Sequence, residues 1–383
     1  DNDPDAAIYS TANLTLTGEG SLSVEGAYEE GIHTTGGLVI ASGTLEVNAA
    51  NTGIKGKDYV DITGGIVNVT AAQDGIKSTN TDDESMGFTR LSAGSVTVSA
   101  GDDGLKAPHT LEISGGTLNI EKSNEGIEAQ YINILDGDVT VNSTDDGINA
   151  SLKDSSSDTS SDTTSGTAAA GQQTQQNQNG QVQQAPAGGG AAPGGSQGST
   201  GQNQNMPQPP TDGAMPGGGT FEVVDAAINI SGGTVTVNAE GDGIDSNGTA
   251  TFSGGTVTVN GPVAGGNNAL DSNGDLLLNG GTVTAGSTAD MFEAPSSAST
   301  SGYLKITDSS ALTQGSTVQV TDSSGTVVAN YKITKSGVQL VLVSNKNIVK
   351  GQDYKVYVAS GDVDIDSTDV ANGATELGSF TAA

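Results

Sequence analysis

Apolar residues recur at every second position in short runs along most of this chain, the spacing of β-strands with one buried face. In one stretch Ile127 leads to Ile132 and Ile134 and then to Val139 and Val141, with Asn133 and Thr140 assigned to the opposite face. Two turn signals punctuate the runs. The first is an acidic or polar residue followed by Gly-Ile or Gly-Leu, as in Glu30-Gly31-Ile32, Thr52-Gly53-Ile54, Asp74-Gly75-Ile76, Asp103-Gly104-Leu105, Glu125-Gly126-Ile127, Asp146-Gly147-Ile148 and Asp242-Gly243-Ile244. The second is a Gly-Gly corner, as in Thr63-Gly64-Gly65, Ser114-Gly115-Gly116, Ser231-Gly232-Gly233, Ser253-Gly254-Gly255 and Asn279-Gly280-Gly281. Glycine adopts positive φ without steric cost, which is the expected reason for its place at both corners.

The glycines of the first phrase fall 22, 22, 29, 22 and 21 residues apart from Gly31 to Gly147, and an acidic insert at 79–86 accounts for the long step. A repeat of this length with short strands buries its apolar face only against its neighbours, which predicts a solenoid. Three strands per coil of about 22 residues make a three-sided parallel β-helix. Two inward ladders follow: Ile32, Ile54, Ile76, Leu105, Ile127, Ile148 and Ile244 on one side, and Leu45, Val67, Val96, Leu118, Val139, Val235 and Val257 on another. Roughly nine coils at about 4.8 Å each would span on the order of 40 Å. An α-helical reading fails, because glycine is too frequent and no window holds an apolar stripe of period 3.6.

The organisation expected along the chain is a first part of the β-helix at 1–150, a low-complexity disordered loop insertion at 151–219, the β-helix continued at 220–300, and a small antiparallel β cap or sandwich at 301–383. The insertion is rich in Ser, Thr, Gln, Asn, Ala, Pro and Gly and cannot bury enough apolar area to offset its ordering entropy. Because the same repeat grammar stands on both sides, it reads as a loop thrown out of one coil.

Charge narrows the setting. Forty-five acidic residues face 13 basic ones, for a net charge of −32, and Arg90 is the single arginine. Such a field repels nucleic acid and anionic membrane surfaces and attracts cations. There is no cysteine and therefore no disulfide framework. No apolar run is long enough to span a membrane. The start at Asp1 is read as that of a processed or trimmed product, and the Ser, Thr, Asn and Gly richness suggests an exported bacterial protein, extracellular or at the cell surface.

Stacking the first corner brings carboxylates into register. Asp74, Asp102, Asp103, Glu125, Asp145 and Asp146 are the expected metal ligands, with Asp82, Asp83, Glu84, Asp242 and Asp245 as possible additions. Like charges about 4.8 Å apart call for a cation between them, and an oxygen-only set suits a hard ion such as calcium. The alternative is a solvated acidic edge that keeps the protein soluble. Beyond the buried Ile of the same phrase runs an outward column, Lys55, Lys77 and Lys106, followed by Glu128, Asn149, Asp245 and Asp271. Lys55, Lys77, Lys106 and Glu128 are candidates for gripping an acidic sugar alongside calcium. Equally, the lysines neutralise the acidic corner.

A lyase would need a base with a depressed pKa beside the metal. Arg90 falls between Asp61 and Glu112 in the equivalent slots and reads as part of an ion-pair ladder, and nothing distinguishes one column lysine from the others. Consecutive acids such as Asp102-Asp103 and Asp145-Asp146 are weak signals of a hydrolase. His33 and His109 are the only histidines and lie far apart in the stack, so no Ser-His-Asp arrangement or histidine metal site is predicted. Aromatic stacking on a glycan also finds little support, with tryptophan absent and tyrosines such as Tyr28, Tyr59 and Tyr131 scattered.

The phrases Asp-Gly-Ile-Lys-Ser at 74–78, Ile-Ser-Gly-Gly-Thr at 113–117, Glu-Gly-Ile-Glu-Ala at 125–129, Asp-Asp-Gly-Ile-Asn-Ala at 145–150 and Gly-Asp-Gly-Ile-Asp-Ser-Asn-Gly at 241–248 together resemble the β-helical carbohydrate-binding domain family of clostridial surface proteins. The resemblance implies a right-handed parallel β-helix akin in fold to pectate lyases. It also implies several calcium ions at acidic corners, binding of cellulose and of acidic polymers such as polygalacturonate, no established enzymatic activity, and further N-terminal coils. The expected function is calcium-dependent, non-catalytic polysaccharide binding. The alternatives are a calcium-stabilised extracellular filament assembled head to tail through open β-helix ends and, after it, a pectate-lyase-like enzyme.

Overall fold

The computed structural model of the protein describes residues 4–152, 222–308, 310, 312–361 and 363–383. Among these residues every regular element is a β-strand, and no helix is long and apolar enough to cross a membrane. The predicted insertion at 151–219, apart from its first two residues, lies outside the described residues.

Period-two alternation fixes which face of each strand turns inward, and the parallel register then stacks like upon like. On the first side the ladder runs Ile8, Ile32, Ile54, Ile76, Leu105, Ile127, Ile148, Ile244, Leu270. On the third it runs Leu22, Leu45, Val67, Val96, Leu118, Val139, Val235, Val257, Val283. Both expected ladders are present and each is extended by one coil at either end. Between them lies a further ladder, Leu16, Ile40, Ile62, Leu91, Ile113, Ile134, Ile230, Phe252, Leu278. Nine members per ladder mean nine coils around one apolar core. Apart from Ile8, Leu16 and Leu22 of the first coil, the members are buried, and fully burying each such side chain is worth about 1.5–3 kcal/mol, so the stack of ladders is the main source of stability.

The strand Ile127–Ser143 pairs with Ile148–Ala150 on one side of the insertion and with Ala227–Ile230 and Thr234–Ala239 on the other. The two flanks therefore complete a single coil.

The two glycine corners work by different physics. At the Gly-Gly corner the second glycine has φ between 71° and 89°, as at Gly65, Gly116, Gly233, Gly255 and Gly281. Gly43 and Gly137, which stand at the same corner after Ser42 and Asp136, have φ of 92° and 103°, and all of these match the expected use of positive φ. At the acidic corner the expectation fails, since none of Gly31, Gly53, Gly75, Gly104, Gly126, Gly147 and Gly243 lies in the left-handed region. Glycine is needed there because the next coil comes too close. A Cβ on Gly104 would lie 2.6 Å from the Gly126 carbonyl oxygen and 2.7 Å from Ile120 Cδ1.

At the C-terminal end the last coil's strand Thr282–Ser287 pairs antiparallel with Leu340–Ser344, which also pairs with Leu304–Thr307. A second sheet of four antiparallel strands, in the order Val327–Lys332, Thr317–Thr321, Asp353–Ala359, Thr375–Thr381, packs around its own core. Tyr331 locks the two parts together by donating its hydroxyl to Asn260 Oδ1 at 3.0 Å. An antiparallel strand thus covers the third side of the last coil.

Substituting Gly104→Ala should therefore cost about 3 kcal/mol from overpacking against backbone. Gly315→Ala, at φ +85° with nothing near its Cβ position, should cost about 1 kcal/mol from backbone strain alone. Thermal melts of the two variants check the order, and equal losses would remove the close-approach explanation.

Candidate functional site

The acidic corner is held by a backbone ladder of its own. The Gly31 N–H donates to Thr52 O, Gly53 to Asp74 O, Gly75 to Asp103 O, Gly104 to Glu125 O, Gly126 to Asp146 O, Gly147 to Asp242 O and Gly243 to Asn268 O, all at 2.8–3.0 Å. The side chains before these glycines consequently stack in one column. Three residues later runs the second column, in the register His33, Lys55, Lys77, Lys106, Glu128, Asn149, Asp245, Asp271.

The first half of this face carries its own cations. Lys55 bonds Glu30 at 2.8 Å, Lys77 bonds Asp74 at 2.8 Å, and Lys106 bonds Asp103 at 2.7 Å and also Glu128. Burial opposes the Lys106 charge, but Asp103 and Glu128 outweigh it and hold the ammonium above its usual pKa. Likewise burial opposes the charge on Glu30, yet His33 beside one carboxylate oxygen and Lys55 on the other bring its pKa down to about 2.

Beyond Lys106 the lysines stop. Glu125, Asp146 and Asp242 of the first column then face Glu128, Asp245 and Asp271 of the second, with no lysine or arginine in either column. Burial, then Asp146 and Asp271, push Asp245 up to about 8. Burial and Glu128 raise Glu125 to about 7, and burial with the charges of Asp242, Asp145 and Asp271 raises Asp146 to about 7 against the pull of the Asp242 N–H. Asp242 rises to about 6, chiefly by burial. Glu293, next to Asp271, is also driven up by burial and by that neighbour. Asp146, Asp242 and Asp245 present ligand atoms within 4.8 Å of one another. Beside them Asn149 donates from Nδ2 to Glu125 at 3.2 Å, while its buried Oδ1 accepts no hydrogen bond among the described residues. Carboxylates plus an unpartnered amide oxygen form a donor set that fits a hard divalent cation.

The remaining expected site residues divide. Asp74, Asp102 and Asp103 converge, as do Asp103, Glu125 and Glu128, although Asp74 and Asp103 already hold lysines. Asp145 is exposed and acts on the cluster through its charge. Asp82, Asp83 and Glu84 sit on an exposed turn organised by Asn80 and Ser85 and join none of these groups. Arg90 stands 3.9 Å from Asp61 and 3.7 Å from Glu112, in the ion-pair ladder its register predicts. Tyr59 is stacked on Phe88 at 4.9 Å between centroids, Arg90 covers Phe88, and Tyr59 leans over Gly37, so this pair's ring faces are occupied. Sequence reading missed Glu293, which lies outside the repeat grammar, and the contact of Asp5 with His33.

Residues 1–174 match the family model of carbohydrate-binding domain-containing proteins. The resemblance read from the repeat phrases is borne out over that span. One similar solved structure is the gadolinium derivative of the polysaccharide lyase-like protein from C. thermocellum, at 31% identity and a TM-score of 0.31, with 36% of this chain and 58% of that chain covered. The chain thus spans under two thirds of that protein. No curated protein matches. Within the matched segment lie the three lysine-filled corners and the start of the lysine-free ones, which continue into the coils after the insertion.

Protonation supplies a test of this face. Glu125, Asp146, Asp242 and Asp245 have folded-state pKa values raised to between about 6 and about 8, so the folded protein binds more protons than the unfolded chain from there down to the ordinary carboxylate range. Stability in chelator should therefore rise as pH falls from 8.5 to 5.5, by about 5 °C in melting temperature. Glu30 works in the opposite sense but only below about pH 4.5, outside this window. Asp146→Asn with Asp245→Asn should make the dependence shallower, with Glu125, Asp242 and Glu293 still contributing, and a flat profile in the unaltered protein would count against these shifts.

Proposed function

We propose that the protein is an extracellular bacterial module that binds acidic polysaccharide of the polygalacturonate class through divalent cations, calcium above all, without cleaving it. The observation that carries this reading is the switch from lysine to carboxylate along one outward column. Where the chain provides no ammonium group, buried carboxylates need a cation, and Asp146, Asp242 and Asp245 with Asn149 Oδ1 are the residues that would hold it. A bound calcium supplies open coordination positions for the carboxylates of a uronate chain. Neutral crystalline glycans have less to grip, because the Tyr59–Phe88 stack offers no free ring face.

The non-catalytic part of the proposal rests on the candidate bases. A lyase base must lose its proton near neutral pH, whereas Lys106 is held charged by two carboxylates, and Lys55 and Lys77 are ion-paired.

Retention on polygalacturonate should require calcium and disappear in chelator. Calcium should also raise the melting temperature by mass action. Replacing Asp146, Asp242 and Asp245 together by Asn should weaken retention about tenfold or more, while Asp322→Asn, on an exposed turn of the C-terminal sheet, should not. Equal effects would point to diffuse charge instead of a site. No unsaturated, ultraviolet-absorbing products should form, and their sustained release would overturn the non-catalytic assignment.

A further inference from the structure

A second kind of metal chemistry is built into the second coil. Strand Ala6–Ser10 pairs with Glu30–Thr34 so that Ala6 stands opposite Glu30 and Tyr9 opposite His33, and the Glu30 N–H donates to Asp5 O at 2.9 Å. This register carries the Asp5 side chain to His33. Nδ1 of His33 lies 2.7 Å from Asp5 Oδ1 and 3.4 Å from Glu30 Oε2, and Tyr9 packs edge-on against the imidazole at 5.2 Å. Ligand atoms of all three residues fall within 4.8 Å of one another.

The independent observation is the state of Glu30, which is 6% exposed. Lys55 takes Oε1 and fixes the carboxylate plane, while Oε2 is buried, faces the imidazole and makes no hydrogen bond. Its one polar neighbour is the imidazole 3.4 Å away, so the atom is buried without a hydrogen bond of its own, which is costly. Tetrahedral zinc with bonds of about 2.0–2.1 Å sets its ligand atoms about 3.3 Å apart, close to the 3.4 Å Glu30–His33 separation, and the 2.7 Å Asp5–His33 contact, with Asp5 partly exposed, opens by about 0.6 Å to admit the ion. One imidazole with two carboxylates also differs in kind from the oxygen-only corners, since nitrogen ligation favours borderline metals over calcium.

We propose that Asp5, Glu30 and His33 form a binding site for zinc or a similar borderline divalent metal, separate from the oxygen-only cation face. The ion replaces the proton that His33 Nδ1 shares with Asp5, and Lys55 remains on Glu30 Oε1. Zinc uptake accordingly releases a proton when His33 starts charged.

The test is calorimetric titration of the untagged full chain with zinc chloride in excess calcium, which keeps the oxygen-only sites filled. Binding of about one zinc per chain is expected, weakened about tenfold or more by His33→Ala and by Glu30→Gln but unchanged by His109→Ala or Asp146→Asn. Unchanged affinity in both His33→Ala and Glu30→Gln, or no zinc binding in calcium, overturns the proposal. Should His33→Ala fail to fold, copper(II) paramagnetic resonance decides. Imidazole nitrogen splitting that persists in His109→Ala supports the site, and its loss there refutes it.

Discussion

Each coil rests on the one below through glycines that have no room for a side chain. At the acidic corner the backbone of one coil closes over the next with a carbonyl oxygen where a Cβ would stand, so the corner takes part in the same hydrogen-bond ladder as the strands beside it. A corner that close cannot slip in register without breaking bonds on both neighbouring sides. The side-chain columns follow from this constraint, apolar inward and ionisable outward, and a fixed register concentrates charge along one line.

That concentration creates the electrostatic problem the site answers. In the early coils the chain answers it with Lys55, Lys77 and Lys106, each ammonium lying against the carboxylate three residues earlier or one coil below. In the later coils it offers Glu128, Asn149, Asp245 and Asp271 at the same positions. One backbone plan thus passes from an internal salt bridge to a lysine-free carboxylate cluster by changing a single position per repeat. At the start of the stack His33 adds a different answer, a nitrogen donor between Asp5 and Glu30.

Much of this was legible in the sequence because a 22-residue repeat with period-two strands forces one register, and the positions of Ile54, Ile76 and Ile127 then follow. The outward column was legible for the same reason. What each member does was not, since the choice between a lysine that neutralises and one that binds depends on where its ammonium rests. The role of the corner glycines was misread because the identity of glycine does not tell left-handed geometry from crowding. Asp5 escaped notice because its corner, Ala6-Ala7-Ile8, lacks the glycine that marks the others. Glu293 escaped because it follows the last repeat and carries no periodic signal.

The coil interrupted by the insertion has a consequence for chain continuity. Strand Ile127–Ser143 hydrogen-bonds segments on both sides of the break, and Asn142 is joined to Asn238 and then to Asn260 by side-chain amide bonds at 2.9 and 2.8 Å. Cutting the peptide chain between residues 153 and 221 would sever none of these bonds. The described strands on either side are thus held to one another by hydrogen bonds that do not run through those residues, which makes 153–221 the place to split, label or extend this protein.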